Sequence, residues 1–162
     1  MEKLELKHLA GYLPNGLKLY NHNNPNIEIS VIGFEKDSLL IIEDDNKYYS
    51  AFGAFKPILR PLSDLTKEIE VNGEKFVPYI ELAKKYAEMS GYNEDIRIYR
   101  NKCYCYSKSS EIEFRFNGRD FILNGKLVNT QYHLFLKLQE SQFDIYGLIE
   151  ANLAIDINTL KP

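Results

Sequence analysis

Apolar and polar positions alternate in short runs through the first sixty residues, and polar stretches separate the runs. Leu17 and Leu19 alternate with Lys18 and Tyr20, and Ile27, Ile29, Val31 and Gly33 with Glu28, Ser30 and Ile32. SLLIIED from Ser38 and KYYSAFGAF from Lys47 follow. HNNPN (His22–Asn26), Glu35-Lys36-Asp37 and Asp44-Asp45-Asn46 have the composition of turns. Ahead of these runs, LKHLAGYL from Leu6 ends at Pro14 as a short helix does, and Asn15-Gly16 turns the chain. The pattern predicts a short helix followed by a three- or four-stranded antiparallel meander.

The middle of the chain reads differently. Pro57 and Pro61 bracket Ile58, Leu59 and Arg60, which predicts an extended piece at a sheet edge. Ser63 is placed to cap a turn of helix through Leu65 and Thr66. EIEVNGEKFVP from Glu68 predicts a tight hairpin, because Asn72-Gly73 suits the positive φ angles of a two-residue turn. Pro78 opens a helix in which Ile80, Leu82 or Ala83, and Tyr86 or Ala87 recur at helical spacing until Ser90-Gly91 stops it.

In the second half, DIRIYRNKCYCYS is a strand pair or one long strand. In EIEFRF, Ile112, Phe114 and Phe116 alternate with Glu111, Glu113 and Arg115 as in a half-buried strand. Asn117-Gly118 turns the chain, RDFIL returns, and Asn124-Gly125 turns it again into KLV. Asn129 or Thr130 is placed to cap a helix through TQYHLFLKLQES, with Tyr132, Phe135, Leu136 and Leu138 marking its buried face. Phe143, Tyr146, Leu148 and Ile149 suggest a further helix, and AIDINTLKP an extended tail with alternating Ile155 and Ile157. The expected fold class is α+β: two antiparallel β-meanders with three or four short helices packed on them. A single compact domain over 1–162 is expected, with an N-terminal β-rich lobe (1–60) and a C-terminal α+β lobe (61–162) as a possible subdivision.

Composition places the chain among ordinary globular proteins, with 44% hydrophobic and 27% charged residues. The charge is unevenly spread. Residues 1–81 hold 9 Lys/Arg against 13 Asp/Glu, and residues 82–162 hold 11 against 10. Between Arg97 and Lys137 there are 8 basic residues and 3 acidic ones, so a local positive surface is expected in a chain of net charge −3. There is no signal-peptide run at the N-terminus and no run long enough to span a membrane. Cys103 and Cys105 are the only cysteines, and on a strand they share a face with poor geometry for a mutual disulfide. A reduced thiol pair and a cytoplasmic setting in a bacterial host are the expectation.

Catalytic signatures do not emerge. His8, His22 and His133 stand far apart, outside metal-ligand spacings, and no GxSxG, GxxxxGK or GxGxxG occurs. Neither a catalytic residue, a metal site nor a cofactor is expected. Asp144, Glu150 and Asp156 are carboxylates in no recognisable nuclease spacing. The stretch RIYRNKCYCYSK is the best binding candidate. Arg97, Arg100 and Lys102 can meet phosphates, Tyr99, Tyr104 and Tyr106 can stack on bases, and Arg115 adds a cation nearby. The competing reading is a basic strand whose charges are balanced by Glu111 and Glu113 on a neighbour.

KPILRPLSDLTKEIE (Lys56–Glu70) and FDIYGLIEANLAIDINTL (Phe143–Leu160), with LKHLAGYLPNGLKL (Leu6–Leu19), resemble the common skeleton of small proteins of tailed phages and prophages of gut Bacteroidetes. That family carries no assigned activity, so the resemblance implies a genetic setting and no reaction. The expected function is a non-enzymatic phage accessory protein that binds a macromolecule: a host, defence or phage protein, or nucleic acid. The alternatives are a sponge for a nucleotide immune signal and a small hydrolase or nuclease built from dispersed residues. No membrane partner is expected.

Overall fold

A computed structural model describes residues 3–21, 29–35, 38–43, 46–51, 54–90, 96–99, 102–107 and 110–160. The turns expected at His22–Asn26, Lys36-Asp37 and Asp44-Asp45 lie outside the described residues, as do His22, Arg100 and Lys108. In chain order the elements begin with α1 (Leu6–Leu9), β1 (Lys18–Tyr20), β2 (Ile29–Glu35), β3 (Ser38–Glu43), β4 (Asn46–Ala51) and β5 (Lys56–Leu59). The hairpin β6 (Ile69–Val71) and β7 (Glu74–Phe76) leads into α2 (Pro78–Ser90). Then come β8 (Ile96–Tyr99), β9 (Lys102–Ser107), β10 (Ser110–Phe116), β11 (Phe121–Leu123) and β12 (Lys126–Leu127). α3 (Gln131–Glu140) and β13 (Ile155–Asp156) complete the set. The fold is α+β with two antiparallel meanders.

The contacts divide the chain into two units, residues 1–61 with 139–162, and residues 62–138. In the first unit, six strands run in the order β13-β5-β1-β2-β3-β4. β1 to β4 pair antiparallel in sequence, with a register shift between Val31 and Gly33. Leu17, Leu19, Ile29, Val31 and Leu59 are buried against Leu9, Tyr12, Leu148 and Ala154. Burial of these side chains supplies the main stabilising term.

Three expectations need correction here. β5 is interior: β1 flanks it on one side and β13 on the other. The parallel pairing to β13 begins at Ile58, past Pro57, so the missing proline N–H is not required there. The helix expected over Phe143–Ile149 is instead a run of turns. Asp144, buried, accepts from the backbone N–H of Leu148 and of Ile149, each at 2.8 Å. Gly147 and Asn152 sit at φ 70° and 59°, which a helix does not allow. Finally, the tail is extended only at Ile155 and Asp156, after which Ile157–Thr159 coils into a 3₁₀ turn capped by Asp156.

The second unit is built on Phe114. Its ring lies 5.9 Å from Tyr79, 5.5 Å from Tyr86 and 5.8 Å from Phe121. Phe116, on the same face of β10, meets Phe121 at 4.6 Å and Phe135 of α3 at 6.0 Å. Both helices therefore cover one face of the sheet β12-β11-β10-β9-β8. The Tyr79 hydroxyl accepts from Phe116 N–H at 2.7 Å and donates to the Phe114 carbonyl at 3.3 Å, fixing α2 to β10. Gln131 does the same for α3: its amide takes the N–H of Phe121 at 2.8 Å and donates to the carbonyl of that residue at 2.5 Å.

Local corrections follow in this unit. Ser63 lies inside the 3₁₀ turn Leu62–Asp64 rather than capping one. Thr130 Oγ1 is buried and has no hydrogen-bond partner among the described residues, so its side chain does not cap α3. α3 buries Leu134 and Leu138, while Tyr132 is exposed. The Asn117-Gly118 turn is a four-residue loop: Phe116 pairs with Phe121, and Asn117 Oδ1 accepts from the N–H groups of Arg119 and Asp120.

Candidate nucleic-acid interface

The face of the second unit's sheet opposite α2 and α3 carries the sequence-derived candidates. Successive strand residues belong to opposite faces, and directly paired residues belong to the same one. Arg97 pairs with Tyr104, and Tyr104 with Glu113. Tyr106 pairs with Glu111, and Tyr99 with Lys102. Arg115 follows Glu113 at the next position of that face and pairs with Ile122, which pairs with Leu127. Thus Arg97, Tyr99, Lys102, Tyr104, Tyr106 and Arg115 are brought to one face of three adjacent strands. Phe114 and Phe116, with the positions of Cys103, Cys105 and Ile112 paired beside them, belong to the helix-covered face.

The register also bears on the charge balance. The residues paired across from Glu111 and Glu113 are Tyr106 and Tyr104, not cations. Carrying the β9–β10 register one step past Phe114↔Cys103 sets Arg115 level with Lys102, with Tyr99 on the other side of Lys102. Along the strands, Lys102 and Arg115 stand at one end and Glu111 at the other, with Arg97 and Glu113 in the row between, on either side of Tyr104. Arg115 is exposed and Glu113 half-buried.

Sequence reasoning missed the apolar end of this face. Ile122 is buried and Leu127 is 64% exposed, and both share the row of Arg115. Phe121, Ile122 and Leu123 are all apolar, so the sequence does not assign them to faces, and only the pairing shows which strand face Ile122 and Leu127 join. At the β11–β12 edge an open hollow of about 340 Å³ is lined by Tyr86, Leu123, Asn124, Lys126 and Leu127, among others.

The other chemistry-bearing residues have local duties. His8 Nδ1 accepts from the Glu5 N–H at 3.1 Å, and the His8 ring lies 5.7 Å from Tyr146. His133 is exposed, with its ring 5.6 Å from that of Tyr132. Asp144 and Asp156 accept backbone N–H groups, and Glu150 is exposed. Among the described residues, no group of three or more His, Cys, Asp or Glu is placed to hold a metal ion, and no helix is long and apolar enough to cross a membrane.

Comparison with protein-family models, curated proteins and solved structures found no match for this chain. Its functional reading therefore rests on the geometry of this sheet face.

Proposed function

We propose that the protein is a non-enzymatic binding protein whose second unit takes single-stranded nucleic acid across β8, β9 and β10. The phage-protein resemblance supports an accessory role in a phage or prophage setting. One observation carries the reading: the strand register gathers three tyrosines and three cations on the sheet face that the helices leave uncovered. Rings in Tyr99, Tyr104 and Tyr106 offer stacking surfaces that tolerate any base, and Arg97, Lys102 and Arg115 supply phosphate contacts.

Three cations beside two acids make this a stacking site before it is an electrostatic one. The expected dependence of log affinity on log salt has a slope no steeper than about −2, from roughly 0.7 per phosphate contact. Tyr104→Ala is expected to weaken binding by about 5- to 150-fold, the worth of one stacked base. Glu111→Gln with Glu113→Gln is expected to tighten it at low salt. Fluorescence anisotropy with labelled single-stranded DNA and RNA checks all three, with duplex DNA and a cyclic dinucleotide as competitors. Absence of oligonucleotide binding at low salt, or binding indifferent to Tyr104 and Arg97, overturns the proposal. Displacement by the cyclic dinucleotide at stoichiometric concentration would instead mark a nucleotide sponge.

A further inference from the structure

The strand order of the first unit leaves β4 at one end of its sheet, paired to β3 on one side and, among the described strands, to none on the other. An unpaired strand presents a row of backbone donors and acceptors, and natural sheets blunt such edges with charge, proline, bulges or shortness. The opposite end is blunted by shortness, since β13 has two residues. β4 has six residues, one charge (Lys47) and no proline, and the sheet's register shift lies in β2. Tyr49 at its centre is 57% exposed.

The hairpin decides which β4 residues offer their backbone outward. β3 and β4 close at Glu43↔Asn46 with two residues between them. The closing pair of a two-residue hairpin exchanges its hydrogen bonds, and bonded pairs then alternate along the ladder. Asn46, Tyr48 and Ser50 therefore bond inward to β3. Lys47, Tyr49 and Ala51 direct N–H and C=O to the free side, and these three positions are symmetric about Tyr49.

We propose that β4 pairs antiparallel with β4 of a second copy of this chain, about a two-fold axis at Tyr49. In that isologous register Tyr49 meets Tyr49, Tyr48 meets Ser50, and Lys47 meets Ala51. Every outward-facing position then meets another. The Ala51 carbonyl accepts from Ala54 N–H at 3.2 Å and keeps a second lone pair for the new bond. Moving the axis to Tyr48 leaves Ala51 without a partner. Moving it to Lys47 sets two ammonium groups opposite each other, which like charges on paired strands disfavour. Lys47 thus disfavours that alternative register. The contact joins two six-stranded sheets into one and does not depend on the nucleic-acid reading of the second unit.

Charge placed at position 51 tests the register directly. Ala51 is exposed, so its substitution leaves the fold intact, as circular dichroism would verify. Sedimentation velocity of the full chain from about 1 to about 500 μM is expected to show reversible dimerisation, the range in which a small interface associates. Ala51→Lys sets a second cation opposite Lys47 at two symmetric places and is expected to weaken the dimer about two- to thirty-fold at low salt. Ala51→Glu is expected to tighten it by a similar factor, and Lys47→Glu with Ala51→Lys to restore it. A chain that stays monomeric throughout, or a dimer indifferent to charge at positions 47 and 51, overturns the proposal.

Discussion

Tyr12 shows how one side chain organises a long-range contact. It is fully buried, donates its hydroxyl proton to the Phe143 carbonyl at 2.7 Å, and accepts from the Ile145 N–H at 3.3 Å. Burial pushes its phenol well above the ordinary tyrosine range, with the charge of Asp144 acting in the same direction. Tyr12→Phe leaves that carbonyl with the Ile145 N–H as its partner, at 2.9 Å, so the loss of one buried hydrogen bond is expected to cost about 0.5–1.5 kcal/mol in urea unfolding at pH 7. The pH dependence has a definite sign. Because the folded-state value is raised, the unfolded chain loses this proton first, so the stabilisation is complete below about pH 10 and declines as pH rises. The gap between wild type and Tyr12→Phe is therefore expected to narrow above about pH 10, and a gap that widens there would contradict the assignment. None of this was legible in LKHLAGYL, where Tyr12 reads as one more helix residue. Its partner lies 131 positions away.

Elements were legible where the instruction is local. Asn72 and Gly73 take φ 53° and 83°, and Asn124 and Gly125 take 45° and 80°, so both two-residue turns form as their dipeptides dictate. The second does more than turn the chain: Asn124 Oδ1 accepts from Glu113 N–H at 2.8 Å, tying the β11–β12 hairpin to β10 beside the candidate face. Gly125→Ala adds a side chain at φ 80° and is expected to cost about 1–2 kcal/mol. Asn124→Ala removes both the turn preference and the tie to Glu113, and is expected to cost at least as much. Amide hydrogen exchange should show the loss at Val128, whose N–H donates to the Phe121 carbonyl at 3.2 Å. Unchanged protection there would mean that the hairpin is held from elsewhere. The segment after α3 misled for the converse reason. Phe143, Tyr146, Leu148 and Ile149 have helical spacing, yet Asp144 accepts two backbone N–H groups and Gly147 adopts the left-handed region. The presence of Asp144 and Gly147 was a warning, but their effect depends on burial that spacing does not reveal.

At the scale of the whole molecule, the first unit is assembled from two stretches far apart in sequence. Arg60 N–H donates to the Gln142 carbonyl at 2.8 Å, Asp144 N–H donates back to the Arg60 carbonyl at 2.8 Å, and β13 pairs with β5 at Ile58 and Leu59. Leu148 and Ala154 belong to the core formed by Leu9, Tyr12, Leu19 and Ile29. Close approach reinforces the closure, since a methyl group at Gly11 would overlap the side-chain amide of Gln139. Residues 62–138, in contrast, hold their aromatic cluster and five-stranded sheet within one continuous stretch. That difference makes an asymmetric expectation. A chain ending at Glu140 loses Leu148 and Ala154 from the first core and, with them, the buried Phe143. The Phe and Leu side chains alone are worth roughly 2–5 kcal/mol each, comparable to the whole stability of a unit of this size. Its first unit should be unfolded, with the β1–β5 amides exchanging freely, while the amides of α2 and β10 stay protected. An isolated fragment of residues 62–138 should likewise fold with a transition of its own and, if the proposed interface is right, retain oligonucleotide binding. Loss of protection in α2 and β10 on truncating the tail would show instead that the two cores stand or fall together.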